Sequence, residues 1–473
     1  MESRYREASQ ESDLTSPVAY QQGTGIRSSG KSIGKYVAIV LAVAMLFVIV
    51  VGTGFWLIFF ADGERKAVEW AITMTEAYYY PEGFSAEAVY ETAGPDADTD
   101  TLIQALNSQL DPYSEFMKPR EFQTYIDQGA GHNRGIGVSF AEETVGETVY
   151  YKAALIVTNS PAERAGIGKG MYLLGYGLSE TEMTVGVEYD AFSEFLSGQN
   201  GSFYLRFGYS ADGTGARNYS LAREDYQATY CYYRDSETAF YFHGKDGKTF
   251  EEVTHPIEGL DDVTAYIRID EFSGNVAEEF KACLNKMKER GREHLVLDLR
   301  TNGGGYLTDF QSIASHLLRN AQPGSKPLVQ VARYKDGHED RYEASEASDF
   351  EEYFSSGSQV YVLADENTAS ASECLIGTLV DYGTVPYDHI YLRQGEDGVA
   401  KSYGKGIMQA SYQHYTGAAM KMTIAGVFWP LSDRSIHNVG VTTADGAHAI
   451  EAQLFWGEQD TMLDAVLREI CHK

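Results

Sequence analysis

The sequence predicts an α/β core preceded by a helical region and a compact β-rich unit, with one apolar segment of membrane length near the N-terminus. Three observations carry this. Beyond about residue 224, apolar strand-like runs alternate with amphipathic helical runs, the pattern of buried strands joined by helical crossovers. Between residues 129 and 223 the runs are short, strand-like and bounded by glycines. Residues 36–60, "YVAIVLAVAMLFVIVVGTGFWLIFF", carry no charge and are long enough to cross a hydrocarbon core of ~30 Å.

Bulk properties narrow the function. At 473 residues, with 43% hydrophobic and 22% charged side chains, the chain has the make-up of a folded protein of two or three domains. A formal net charge of -30 argues against a nucleic-acid partner, because phosphates would be repelled. The four cysteines, Cys231, Cys283, Cys374 and Cys471, are far apart and form no C-x-x-C or Cys/His cluster, so a zinc site has little support.

Residues 1–35, rich in Ser, Gln and Gly, show no apolar periodicity and read as a disordered tail. The apolar run that follows continues through Phe60 without an A-x-A site, so it reads as a membrane helix rather than a cleaved signal peptide. Arg27, Lys31 and Lys35 precede it; Arg65 and Lys66 follow, among acids. That asymmetry predicts a cytoplasmic tail, an extracytoplasmic body and a single-pass cell-membrane protein.

Residues 62–128 carry helical patterns. Val68, Ala71, Ile72 and Thr75 recur at helical spacing, "TDTLIQALNSQL" starts with cap-like residues, and Pro119 opens a further short helix. Residues 129–223 form the β-rich unit, entered through "GAGHNRGIGVSF". In residues 224–473, "VTAYIRIDEF", "HLVLDLR" and "SQVYVLAD" are strands, and "NVAEEFKACLNKMKERG" is a helix closed by Gly291.

Two strand-to-helix junctions stand out. "LDLRTNGGG", residues 297–305, sets three glycines after a buried strand. Glycines there allow close backbone approach to a ligand, although a lone triplet is more simply a flexible turn. No G-K-[ST] follows, which disfavours a phosphate loop. "ENTASASECLIGTLVD", residues 366–381, crowds Thr368, Ser370 and Ser372 at the start of an apolar helix. Capping explains these hydroxyls, with Glu373 favouring the dipole. A nucleophilic Ser370 explains them too, with the Ala371 amide donating to an oxyanion and Asp381 three turns on along the same face.

A nucleophile needs a base, and none of the 11 histidines lies in a suggestive motif. "SYGKGIMQ", residues 402–409, sets Lys405 between two glycines with Gln409 four positions on. Alone, such a lysine reads as an exposed turn residue. Buried, it loses its charge more readily and becomes a base that Gln409 orients. Cys374, one turn past Ser370, is an alternative nucleophile but reads more simply as a small buried hydrophobe.

These segments, with "LDPYSEFM", "RGIGVSF", "SPAERAGIGKG", "YIRIDEFS", "TASASE" and "MTIAGVFWP", resemble the C-terminal processing peptidases, or tail-specific proteases. The match spreads over roughly residues 110–445. The resemblance implies an α/β, ClpP/crotonase-like serine peptidase core with an inserted PDZ domain over residues 129–223. It implies Ser370 as nucleophile, Lys405 as base, supporting roles for Gln409 and Asp381, and oxyanion donors among Ala371, Gly304 and Gly305. It also implies a carboxylate-binding loop at Gly135, Ile136, Gly137 and Val138, with Arg134 coupling docking to catalysis. Substrates would be proteins or peptides with exposed C-termini, and no cofactor is required. A homo-oligomer is compatible with the chain. The family's closing P-D is replaced here by "TTADG", and Met171 replaces the Asp of K-G-D. The rival expectation is a membrane-tethered PDZ scaffold without catalysis.

Overall fold

A computed structural model describes residues 63–471 except 244–248, 255, 396 and 453–459. The predicted tail (1–35) and membrane segment (36–60) lie outside the described residues. Among the described residues, no helix is long and apolar enough to cross a membrane.

Three helices come first: α1 (Gly63–Tyr78), α2 (Ala86–Ala93) and α3 (Thr99–Asn107). Helix α1 buries Ala67, Val68, Ala71, Ile72 and Thr75, one face at 3.6-residue spacing. Ser85 and Asp98 cap α2 and α3 by accepting from the amides of Ala88 and Thr101. A turn at 111–114 leads into strand β1 (Glu115–Met117) and helix α4 (Pro119–Gly129), where Pro119 stands at a first-turn position that needs no amide donor.

Strand β2 (His132–Gly135) opens the next region. Strands β3 (Val138–Val145), β4 (Thr148–Ile156), β5 (Tyr172–Gly177), β6 (Met183–Val185), β7 (Phe203–Gly208) and β8 (Arg217–Leu221) form a six-stranded sheet of order β3-β4-β5-β7-β8, with β6 on β5. Helices α5 (Pro161–Arg164) and α6 (Tyr189–Gly198) accompany it. Its core is separate, built from Ile136, Leu173, Phe192, Phe203, Leu205 and Phe207. Strand β9 (Glu224–Gln227) then pairs antiparallel with β2, so two adjacent strands carry the chain in and out of this unit.

The remaining chain runs β10 (Cys231–Arg234), β11 (Ala239–His243), β12 (Thr249–Val253), β13 (Thr264–Ile269), α7 (Val276–Glu289), β14 (His294–Asp298) and α8 (Leu307–Ser315). It continues through the hairpin β15 (Leu328–Tyr334) and β16 (Glu339–Glu343), α9 (Phe350–Tyr353), β17 (Val360–Ala364), α10 (Ala371–Asp381) and β18 (Ile390–Arg393). Strands β19 (Ile407–Gln413), β20 (Ala419–Phe428) and β21 (His448–Ile450) and helix α11 (Thr461–Ile470) complete it. Strands β13-β14-β17-β18-β21 are parallel neighbours in an eight-stranded sheet.

Strand alternation explains why helices cover both faces of that sheet. Ile267, Leu295, Leu297 and Val362 pack with Phe280 of α7, Phe310 of α8 and Leu375 of α10. The alternate residues Tyr266, Val296 and Leu363 pack with Met462 and Val466 of α11. Strands β1, β15, β16, β19 and β20 form a second sheet, which packs against the N-terminal helices. Where it meets α10, Gly377 lies so close to the buried Trp429 that any side chain there would collide with the indole.

The consequence for the site is directional. Both the glycine triplet, between β14 and α8, and the serine-rich stretch, between β17 and α10, leave the sheet at the carboxyl ends of adjacent parallel strands. Helix N-termini and loop amides are thereby gathered at one edge.

Candidate active site

Ser370 occupies the turn between β17 and α10 with φ 57° and ψ -118°. A positive φ on a side-chain-bearing residue costs about 1–3 kcal/mol and persists only when neighbours enforce it. Here they do. The Ser370 amide donates to Glu373 Oε2 (3.0 Å), the Ala369 amide to the Asn302 carbonyl (3.0 Å), and the Cys374 amide to the Ser370 carbonyl (2.9 Å).

The three neighbouring hydroxyls separate by role. Thr368 Oγ1 donates to the Leu299 carbonyl (2.9 Å) and accepts from the Asp365 amide (2.9 Å). Ser372 Oγ donates to the Asn302 carbonyl (3.0 Å). Both are spent tying α10 to the end of β14. The Ser370 hydroxyl donates no hydrogen bond to any described residue and lines a cleft of 860 Å³.

Lys405 lines the same cleft, as do Ala371, Cys374, Gln409, Gly303 and Gly305. Burial, foremost, and the neighbouring Lys421 ammonium pull the Lys405 amine below its usual range; Asp111 and Glu373 act the other way. Its Nζ stands over the Tyr113 ring, 4.3 Å from the centroid. Among the described residues no hydrogen bond joins it to Ser370 Oγ. Gln409 donates from Nε2 to Thr423 Oγ1 (3.0 Å), so its amide is anchored on β20 rather than on the lysine.

Glu373 links Ser370 and Lys405. Its carboxylate is fully buried and accepts four hydrogen bonds. Oε1 takes Ser402 Oγ (2.6 Å) and the Gly404 amide (2.8 Å); Oε2 takes the Ser370 amide (3.0 Å) and the Lys405 amide (2.8 Å). One side chain thus joins the start of α10 to the segment entering β19.

The glycine triplet packs directly on the serine. Gly304 has φ 104°, and a Cβ there would stand 2.7 Å from Ser370 Cβ and 3.0 Å from the Ala371 nitrogen. One expectation needs correcting. The Gly304 amide, expected as an oxyanion donor, donates to Asn302 Oδ1 (2.9 Å). The amides of Ala371 and Gly305 have no such partner among the described residues. Asn302 is fully buried and also donates from Nδ2 to the Ile269 carbonyl (2.9 Å), so it fixes the loop at both ends.

The Cys374 thiol is buried and pushed well up, foremost by that burial, which disfavours the thiolate. The Cys231 and Cys283 sulfurs lie 3.8 Å apart as buried thiols, far from any sequence signal that pairs them. No histidine lines the cleft. Among the described residues, no group of three or more His, Cys, Asp or Glu is placed to hold a metal ion.

The profile described as peptidase family S41 matches residues 263–444, which include both junctions and Lys405. A carboxyl-terminal-processing protease of Picosynechococcus sp. is 27% identical over 353 residues, covering 72% of each chain. The carboxy-terminal processing protease CtpB of Bacillus subtilis is 32% identical over 176 residues, which are 37% of this chain and 32% of that one. Residues 263–444 of this chain thus match peptidase family S41, and most of the chain is similar to a carboxyl-terminal-processing protease.

A putative S41 protease from Bacteroides fragilis superposes with a TM-score of 0.55 at 15% identity, over 85% of this chain and 97% of that one, a likeness of fold. Two expected site residues lie elsewhere. Asp381 closes α10, about 16 Å along the axis from its start. Its Oδ2 accepts the amides of Leu431 (2.8 Å) and Ser432 (3.0 Å), so it holds a loop and does not reach the cleft. Arg134 is exposed on β2, opposite Asp225 (3.8 Å), and does not line the cleft. Residues 135–138 join β2 to β3; the carbonyls of Ile136 and Gly137 accept from the amides of Ala162 and Val157 (2.9 Å each).

Sequence reasoning missed Glu373 as a tie, Asn302 as a loop anchor and Tyr113 as the aromatic neighbour of Lys405. Each stands inside a quoted motif, "TASASE", "RTNGGG" and "LDPYSEFM". Gly304→Ala is expected to displace Ser370. Turnover should fall about 10²-fold, the effect of an ångström-scale misplacement, with a melting shift of only a few degrees. Comparing kcat with thermal melting checks this; an undiminished kcat would show that the loop yields.

Proposed function

We propose that this chain is a membrane-anchored serine endopeptidase that binds protein C-termini through a PDZ domain and cleaves peptide bonds with a Ser370–Lys405 dyad. The observation that carries it is the strained Ser370, its hydroxyl donating to no described residue, sharing a cleft with the partly buried Lys405 amine while Glu373 accepts from the backbone amides of both residues.

In this reading neutral Lys405 takes the proton from Ser370 Oγ as that oxygen attacks the substrate carbonyl. The amides of Ala371 and Gly305 stabilise the oxyanion; losing one such donor typically costs about 3 kcal/mol. The lysine returns the proton to the leaving amine, and the acyl-enzyme forms. Lys405 then deprotonates a water, which attacks the ester and frees Ser370. The chain's own residues supply every proton transfer. Because the amine and hydroxyl are not hydrogen-bonded, the arrangement described above is read as a resting form that closes on substrate.

The PDZ assignment rests on the six-stranded unit of residues 138–221. Its strand β3 is an edge strand, paired only with β4, so its outer side is open for an added peptide strand. The loop at residues 135–138 leads directly into that edge. Anchoring rests on the apolar run at residues 36–60 and its flanking charges.

The test is cleavage by the full chain of a peptide with a free C-terminus and of its C-terminally amidated twin. The free peptide should be cut, and the amidated one about tenfold or more slower, since charge-assisted hydrogen bonds to the carboxylate are lost. Lys405→Ala should cut neither. Binding without cleavage by the unmodified chain supports the scaffold instead. Full activity of Lys405→Ala sinks the dyad.

A further inference from the structure

The turn at 111–114 places an aromatic face under the Lys405 amine, and nothing in the proposed acyl transfer uses it. Tyr113 is pinned at several points. Its hydroxyl shares a hydrogen bond with the Tyr403 hydroxyl (2.7 Å), two residues before Lys405. Its amide donates to Asp111 Oδ1 (3.0 Å), and the Asp111 amide donates to the Tyr79 hydroxyl (2.6 Å). Tyr79 is buried at the end of α1, so the turn is tied to the N-terminal helices. The ring therefore has little freedom to leave the amine.

We propose that Tyr113 is a positioning residue for Lys405: its ring holds the charged amine away from Ser370 and releases it once it is neutral. An aromatic face attracts a cation through its quadrupole and has no such hold on a neutral amine. The contact is thus conditional on charge. When the ammonium gives its proton to solvent, the neutral amine is free to leave the ring and accept the Ser370 hydroxyl proton.

The other charged or titratable groups facing the amine do not duplicate this. Glu373, from α10, spends both oxygens on Ser370, Ser402, Gly404 and Lys405 amides or hydroxyl. Lys421, from β20, repels it and is paired with Glu115 (2.6 Å). Asp111, from the same turn as Tyr113, attracts it, and its Oδ2 is buried without a hydrogen-bond partner. Tyr403, from the lysine's own segment, is bound to Tyr113. The Tyr113 ring is the group directly beneath Nζ.

This inference rests on the reading of Lys405 as base, and the experiment separates the two. The free-enzyme pH profile of kcat/KM is measured for the unmodified chain, Tyr113→Leu, Tyr113→Phe and Lys405→Ala, each normalised to folded protein. Activity requires the neutral amine, so it rises with pH through the lysine pKa. Leucine keeps apolar bulk over the amine but removes the π face that stabilises the ammonium. The acidic limb of Tyr113→Leu should therefore move to lower pH by about half to one and a half units. Tyr113→Phe keeps the face and loses only the hydroxyl bond, so its limb should stay within about 0.3 units of the unmodified one. The proposal is overturned if the Tyr113→Leu limb stays in place or moves to higher pH while Lys405→Ala is inactive. If Lys405→Ala cleaves like the unmodified chain, the dyad itself falls, and the role of Tyr113 with it.

Discussion

Replacing Ser370 by Ala is expected to lower peptide cleavage about 10⁴-fold or more, leaving fold and peptide binding intact. The size follows from removing the only group in the proposed site that forms the covalent intermediate. Substitutes are close in sequence but not in chemistry. Thr368 and Ser372 hold their hydroxyls on the Leu299 and Asn302 carbonyls. To attack a substrate either would have to break that bond and leave a buried carbonyl unpaired, at about 1–3 kcal/mol. The Cys374 thiol is one turn deeper, and its burial suppresses the thiolate. Mass-spectrometric product analysis, with an acylating reagent mapped to the modified residue, gives the answer. Undiminished cleavage by Ser370→Ala would remove the serine from the mechanism. Residual cleavage abolished by thiol alkylation would move attention to Cys374.

The second large effect is expected at Glu373. Glutamine matches its shape but not its hydrogen-bond pattern. Each carboxylate oxygen accepts two donors, and no orientation of an amide offers acceptors on both sides. The NH₂ would face either the paired amides of Ser370 and Lys405 or the Gly404 amide together with Ser402. The second orientation is milder, because the Ser402 hydroxyl, which also accepts from the Val441 amide (2.8 Å), can still receive a bond. Even so the Gly404 amide is left buried and opposed by a donor. Glu373→Gln should lose about 2–4 kcal/mol of stability and about 10²-fold in kcat/KM, through slack between serine and lysine. Glu373→Ala should lose more of both. Urea denaturation and steady-state kinetics report the two losses separately. Unchanged stability and rate would mean that the carboxylate is not the tie described.

Much of the core was legible because its strands are buried on both faces. "HLVLDLR" and "SQVYVLAD" are continuous apolar runs, and β14 and β17 are adjacent parallel strands. The site was legible only by motif. Glycines after β14 and hydroxyls before α10 are 65 or so residues apart, and parallel pairing alone brings Gly304 against Ser370. Asp381 misled because helical periodicity puts it on the right face of α10 while the length of the helix carries it to the wrong end. The Gly304 amide misled for a different reason: a free glycine amide looks the same in sequence as one already bound by the asparagine two residues before it.

Local chemistry in the chain settles a good deal unaided: which runs become strands or helices, and where α10 starts. These follow from side-chain periodicity and from the residue types that favour helix starts. What needed the tertiary structure was partnership. A carboxylate accepts whichever donors the fold delivers, so no reading of "TASASE" shows that Glu373 joins Ser370 to Lys405, or that a tyrosine from a distant turn lies beneath the amine. Such contacts are made between elements far apart along the chain, and their energies depend on burial and distance that only folding sets.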